Sequence, residues 1–316
     1  MKLLITSGDF SRWHSRGFSY LLTELAKICE LYVWYESGDI SEIIEKIGEE
    51  PDFVFINEFG ETNSHQISGL ASLTTPYAIY LFDLHHEIEQ RKEAMERANV
   101  KHIFTHYRDK FYEWYPEFWR KMRWLPLHAN TDIFKDYALP KDIDYLLMGA
   151  VGERIYPLRY KVRELMRNKP GFICHEHAGY RNFEEDEEAL VGERYAREIN
   201  RAKMFFTCNS VYDYPLGKYF EVPACHTLLM APSSREILDL GFEPGVNFVA
   251  IGESDFLEKA EYYLNHKEER ELISKRGYEM VRSRHSTSRR AFELIAMIEE
   301  ILAAEGKKPL GAGGGK

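Results

Sequence analysis

Three short segments of this 316-residue chain carry side chains suited to holding a phosphate. Gly149-Ala150-Val151-Gly152 falls between a strand-like and a helix-like run, and glycines there let the backbone approach an anion closely. Taken alone, a G-x-x-G spelling describes an ordinary turn equally well. Arg154 follows the loop, and Lys218 opens a second segment, KYFEVPACHTLLMAP (Lys218–Pro232); either cation could neutralise a phosphate or simply sit in solvent. Glu221 in that segment offers a bidentate carboxylate for hydroxyl groups. Asp213 precedes it at acidic-x7-acidic spacing, although an aspartate there also suits a loop cap. In the third segment, His175-Glu176-His177-Ala178-Gly179-Tyr180, Tyr180 offers a ring for stacking. On a strand, His175 and His177 would share a face and could hold a metal together, but no third ligand accompanies them and none is expected.

Earlier in the chain, Gly8-Asp9-Phe10 ends the first apolar run, followed by Arg12, Trp13, His14 and Arg16. An aromatic ring among basic neighbours could hold a sugar or an anionic acceptor. Asp83 and His85 end another apolar run, and either could act as a general base; Asp83 is also a good helix cap. The stretch HYRDKFYEWYPEFWRKMRW (His106–Trp124) mixes aromatic and basic residues, which suits sugar stacking, an anionic surface, or a packed short helix with a basic rim.

Residues of this kind need a scaffold. Short apolar runs at Lys2–Ser7, Leu31–Tyr35, Phe53–Ile56, Tyr77–Phe82, His102–Thr105 and Trp124–Leu127 alternate with helical spacing, as at Phe18–Cys29 and Ile40–Ile47. After the polar stretch NTDIFKDYALPKDID the series restarts at Asp144–Gly149, Phe172–His175, Met204–Thr207, Thr227–Ala231 and Phe248–Ile251. Strands alternating with helices mean parallel sheets, so the expected class is α/β with two Rossmann-like domains, 1–139 and 140–288. Such domains place ligands outside the carboxyl ends of their strands. From Ser254 on the chain reads as helix. The segment Arg290–Leu302 sets Phe292, Ile295, Ile298 and Leu302 on one face, with Leu294, Met297 and Ile301 beside them. A stripe so wide requires a protein partner. Residues 306–316, rich in glycine and lysine, read as a disordered tail.

Composition narrows the classes. A 44% hydrophobic content with 14% aromatics fills two cores, and a net charge of −10 argues against a chain-wide nucleic-acid footprint. No window approaches the ~18 apolar residues of a membrane span. The four cysteines form no C-x-x-C pair and read as reduced thiols, so a cytoplasmic location is expected.

Four segments together carry a family resemblance. Lys218–Pro232 resembles the nucleotide-sugar signature of the "glycosyl transferases group 1" proteins and, within them, the spore-maturation-protein-like branch. WLPLHANTDIF (Trp124–Phe134) is similar to the end of that family's first domain. DYLLMGAVGER (Asp144–Arg154) is similar to the opening of its second, and Glu253–Ile295 to its closing helices. His226 stands where the family usually has glycine. The resemblance implies a GT-B fold, with two domains facing across a cleft and residues 289–305 crossing back to the first. It also implies a metal-independent glycosyltransferase that needs no cofactor beyond its nucleotide-diphosphate-sugar substrate, a UDP-sugar being the expected donor; the acceptor, whether glycan, protein or small molecule, is left open. The implied donor residues are Gly149, Gly152, Tyr180, Asp213, Lys218 and Glu221, the last holding the ribose hydroxyls. Asp83, His85, Arg154 and Lys218 would serve catalysis, and Asp9, Arg12, Trp13 and His14 the acceptor. A sugar-nucleotide epimerase of the same fold, or a non-catalytic nucleotide-sugar binder, are the alternatives.

Overall fold

A computed structural model describes residues 1–60, 65–184 and 186–307. The chain forms two compact units. One contains Met1–Asp9, Phe18–Pro126 and the chain from Arg290 on; the other contains Phe10–Gly17 and Leu127–Arg289.

The first unit is built on a six-stranded parallel sheet. Its strands are β1 (Lys2–Thr6), β2 (Glu30–Trp34), β4 (Phe53–Ile56), β6 (Tyr77–Leu81), β7 (Ile103–Thr105) and β8 (Met122–Trp124), in the order β2-β1-β4-β6-β7-β8. A two-residue ladder joins β3 (Gly38–Asp39) to β5 (Ile67–Ser68) beside it. Leu3, Leu4, Ile5 and all four residues of β4 are buried, the continuous apolar pattern of strands covered on both faces. Helix α1 (Gly17–Leu25) supplies Leu21 and Leu25 to this core, and α2 (Ile40–Ile47) starts where the Asp39 carboxylate accepts from Ser41 N and stops at left-handed Gly48. Helices α3 (Ile88–Arg97) and α4 (Arg108–Trp114) follow.

The second unit has a five-stranded parallel sheet, made of β9 (Ile143–Met148), β10 (Phe172–His175), β11 (Ala202–Phe206), β12 (Leu228–Ala231) and β13 (Val249–Ala250). Its order is β10-β9-β11-β12-β13, so the chain reverses direction across the sheet between β9 and β11. Around it lie α5 (Pro157–Met166), α6 (Gly192–Arg201), α7 (Lys218–Ala224), α8 (Arg235–Asp239), α9 (Phe256–Asn265) and α10 (Lys267–Arg284).

The final helix, α11 (Thr287–Ala304), enters the first core through Ala291, Leu294, Ile298, Ile301 and Leu302. Phe292, expected on the buried stripe, is 59% exposed, so the seam is rotated onto Leu294 and Ile301. Two further differences concern the division of the chain. The polar stretch after Pro126, expected to close the first domain up to residue 139, belongs to the second unit. There Phe134 is buried, Ala129 N donates to His285 O, and Asp136 accepts from His226 and Asn200. Phe10–Gly17, expected in the first domain by chain order, also belongs to the second unit. Of the expected tail 306–316, residues from 308 on lie outside the described residues.

Candidate functional site

In a parallel α/β sheet, the strand carboxyl ends on either side of the reversal leave a crevice where ligands bind. In the second unit that crevice opens between the ends of β9 and β11, and the chain supplies Gly149 from one and Thr207 from the other. Gly149 has φ +116°, a conformation that L side chains rarely adopt. A Cβ built there would lie 3.1 Å from Lys218 Nζ and 3.4 Å from Arg159 Nη1, so two cations converge on this glycine. Gly152, by contrast, has open space around a built Cβ, and Arg154 is exposed.

Arg159 was not among the residues expected from sequence, yet it is the hub of this arrangement. It lies on the first turns of α5, which Pro157 starts at a position needing no N–H. Only 3% exposed, it donates from Nη2 to Thr207 Oγ1 (2.7 Å) and from Nη1 to Ala150 O (3.3 Å), with its guanidinium 4.7 Å above the Tyr156 ring. Its Nε is buried without a partner among the described residues. The side chain therefore ties the glycine loop after β9 to the end of β11.

Lys218 begins α7, with Nζ 5.8 Å from the Tyr195 ring centre. Burial pushes its pKa down to about 8, the Arg159 charge adds to the shift, and Glu221 opposes it. Glu221 follows on the same helix and accepts a long 3.5 Å hydrogen bond from Tyr195 Oη. Burial raises its pKa, against the pull of Lys218.

Phe10–Gly17 comes to this neighbourhood as a strap. Trp13 bridges Asn182, His14 N donates to Arg181 O (3.1 Å), Phe183 N donates to Arg12 O (2.8 Å), and Arg12 pairs with Glu184 at 2.8 Å. His14 thereby meets Tyr180 and His177 with ring centres 4.8 and 5.4 Å apart. Burial, then the charges of His177 and Lys218, lower the His14 pKa to about 4. His177 is lowered by burial and by Lys218 and Arg159. Burial first, and neighbouring positive charge second, disfavour the protonated form of both imidazoles. Tyr180 is 62% exposed, a ring open to stacking.

His175 and His177 do not act as a pair: His175 Nε2 faces Glu198 at 2.7 Å, whereas His177 Nδ1 accepts from Gly179 N at 2.9 Å. Asp213 sits in the left-handed region (φ +55°), exposed, with its carboxylate accepting from Asn209 Nδ2 at 2.8 Å. His226, at the family's glycine position, is also left-handed (φ +54°) and is held by Asp136 at 2.8 Å. The turn keeps the glycine conformation, with a hydrogen bond to the Asp136 carboxylate fixing the histidine.

Asp9, Asp83 and His85 belong to the first unit. Asp83 and His85 follow β6; the His85 ring lies against that of His86, tilted by 58° with centres 4.0 Å apart, and burial lowers the His85 pKa while Asp83 raises it. At the reversal of the first sheet, between β1 and β4, buried Asn57 Nδ2 donates to Ser7 Oγ (2.9 Å). This pair is not apparent in the sequence, because each residue merely ends an apolar run. In the stretch 106–124, Phe111, Tyr115 and Phe118 are buried, while Trp119 is 55% exposed beneath Arg120.

A glycosyl transferase-like family model matches residues 159–296, a span that opens on Arg159 and contains Lys218 and Glu221. No protein of curated function matches significantly. Among solved structures, the fold is similar to that of Anabaena HepE in complex with UDP-glucose (9% identity, TM-score 0.65, covering 95% of this chain and 100% of that one). Sucrose-phosphate synthase from Thermosynechococcus elongatus is similar at 12% identity and TM-score 0.62, covering 96% of this chain and 100% of that one. A candidate UDP-N-acetylglucosamine 2-epimerase from Listeria monocytogenes matches less closely, at 12% identity and TM-score 0.52, with 97% of each chain covered. The fold is the GT-B type of glycosyltransferases, α/β with parallel sheets.

Proposed function

We propose that this protein is a glycosyltransferase that takes a nucleotide-diphosphate sugar, of the UDP-sugar class, as donor. The observation that carries the reading is the convergence of Arg159 and Lys218 on Gly149, with Glu221 beside them. Two partly desolvated cations beside one carboxylate leave a net positive charge, which a bound anion would neutralise.

When the bond between the sugar's anomeric carbon and the β-phosphate oxygen breaks, the electron pair stays on the oxygen, and the growing charge falls to Arg159 and Lys218. The acceptor's oxygen forms the new bond to that carbon, and its proton passes to a base, for which Asp83 and His85 are the candidates. Glu221 would accept from the ribose hydroxyls, and Tyr180 would stack on the base. Asp213 would contact the sugar, while the glycine loop contacts the phosphates and Arg154 the diphosphate from outside. The electrostatic link between His14 and Lys218 supports a donor-side role for His14. Asp9, Arg12 and Trp13 remain candidates for the acceptor. No metal is required in this scheme, since protein cations do the neutralising.

Incubation with a panel of nucleotide sugars in excess EDTA tests the reading. Release of the nucleoside diphosphate, with UDP-sugars preferred, is expected. Glu221→Ala should weaken UDP binding at least about tenfold through loss of charge-assisted hydrogen bonds. Inversion at a sugar carbon without nucleotide release would assign the protein as an epimerase instead. Binding without turnover would leave a nucleotide-sugar sensor, and activity restored only by manganese would refute the metal-free scheme.

A further inference from the structure

The parallel sheet of the second unit has a second polar concentration at its other end. Lys141 precedes β9, Lys203 is near the start of β11 and His226 precedes β12, so all three gather at the amino ends of strands whose carboxyl ends carry Gly149 and Thr207. Helix α10 covers this edge and contributes Arg270, Ser274 and Lys275 to the wall of a cavity of about 350 Å³. That volume is in the range of small-molecule sites.

Cations and carboxylates are similar in number here, but the direct hydrogen bonds of Arg270 and Lys141 go to neutral oxygens. Arg270 is 6% exposed and donates from Nη1 to two neutral acceptors, the carbonyls of Tyr263 (2.7 Å) and Leu264 (2.9 Å). Lys141 donates to the carbonyl of His226 and to Thr227 Oγ1, both at 2.9 Å. Lys203 is paired with Asp144 at 2.5 Å, and Lys275 lies 3.9 Å from Glu279. Asp136 is engaged by His226. Glu271 is the carboxylate on the cavity wall, largely exposed and 3.7 Å from Lys267. Ser274 is 7% exposed, and its Oγ is buried with no hydrogen-bond partner among the described residues. A buried hydroxyl without a partner is costly, and so is a buried cation such as Arg270 whose direct hydrogen bonds go to neutral oxygens. Burial lowers the Lys141 pKa to about 8 against the pull of the Asp136 carboxylate, and the Arg270 charge adds a smaller lowering.

We infer that this cavity is a binding site for a phosphate-bearing small molecule, separate from the donor site at the opposite end of the same sheet. The phosphate would accept from Ser274 Oγ, Lys141 and Arg270, with Lys275 at the rim; the remaining volume has room for a group of monosaccharide size. No bond is made or broken there.

Isothermal titration of the full chain with inorganic phosphate and, separately, glucose 6-phosphate, each against ionic-strength-matched chloride, tests the site. Saturable binding is expected, weakened about tenfold by Ser274→Ala, corresponding to one lost hydrogen bond to a charged group. Lys275→Gln, at an exposed position, provides a second variant that should weaken binding with an unchanged melting temperature. UDP affinity should be unaltered in both variants, and the phosphate binding that persists in Lys218→Ala should keep its dependence on Ser274 and Lys275, so failure here is distinguishable from failure of the donor reading. Tighter binding of glucose 6-phosphate identifies a sugar phosphate as the ligand class; equal binding assigns the site to the phosphate group alone. Absence of saturable heat with both ligands, or binding abolished by Lys218→Ala and indifferent to Ser274→Ala and Lys275→Gln, overturns the inference.

Discussion

If Lys218 holds the donor's diphosphate, its charge must be restored when the ligand binds, and the restoration can be measured as a proton. In the free protein its pKa falls from 10.5 to about 8. At about 1.36 kcal/mol per unit, the environment costs the ammonium form about 3 kcal/mol, most of it through burial. A diphosphate placed against the amine reverses the sign of its surroundings and returns the pKa toward its ordinary value. If the bound pKa exceeds about 10, UDP affinity should fall about tenfold between pH 7 and pH 9, because the free protein then holds the wrong protonation state. Near pH 8 about half a proton should be taken up per ligand bound. Calorimetry in two buffers of different ionisation enthalpy gives both quantities. Lys218→Met supplies the baseline for the ligand's own titration, and Lys218→Arg should flatten the profile while keeping affinity. Without ligand the linkage runs through folding: the unfolded chain holds more protons between pH 8 and 10.5, so this group makes the folded state relatively more stable as pH rises through that window. Identical pH profiles for the wild type and Lys218→Met, with no proton uptake, would refute the contact between Lys218 and the diphosphate.

Other expectations concern the strap and the last helix. His14 has a folded pKa of about 4, below its unfolded value of 6.5, so its contribution to stability is intact above pH 6.5 and is lost as pH falls toward 4. His14→Gln should therefore show a shallower fall in melting temperature between pH 7 and about 4.5, and equal slopes would contradict the assignment. UDP binding should also raise the His14 and His177 pKa values, visible as shifts of their imidazole resonances in NMR titrations; unmoved signals would place the anion elsewhere. Leu294 is fully buried in the first unit's core, and Leu294→Ala should cost about 2–5 kcal/mol in denaturant unfolding. A cost below about 1 kcal/mol would mean that α11 is peripheral to that core.

The alternation of strand and helix was legible because burial on both faces leaves long apolar runs. Phe53–Ile56 is read from sequence with the same limits the structure gives it, and α10 and α11 follow the helical spacing from Ser254 on. The phase of α11 was less legible. Phe292 is the largest apolar residue in that helix, but the seam is set by what Leu294, Ile298 and Ile301 meet, and local spacing cannot report a partner. The apparent linker was misread for a similar reason. Asp136 and Lys141 look like solvated loop charges until His226, Asn200 and Thr227 are brought beside them from far along the chain.

The candidate site shows the same limit more sharply. Gly149, Lys218 and Glu221 could be named because the chemistry of each is visible in a short window. Arg159 could not, since an arginine on an amphipathic helix ordinarily marks the solvent face. It turns inward because Thr207 and Ala150 offer oxygens there, and neither signals this in sequence. His14 was legible as a chemical group but not in its place. Its segment follows the first strand, and only pairing with Arg181–Phe183 assigns it to the second unit. What distant contacts add is the electrostatic character of the site. Burial lowers the Lys218, His14 and His177 pKa values, with Arg159 adding to the first and Lys218 to the other two, so that protonation of the imidazoles is disfavoured beside the two cations. The proposed anion rests on that coupling rather than on any one residue, which is why a list of candidate side chains could only suggest the ligand.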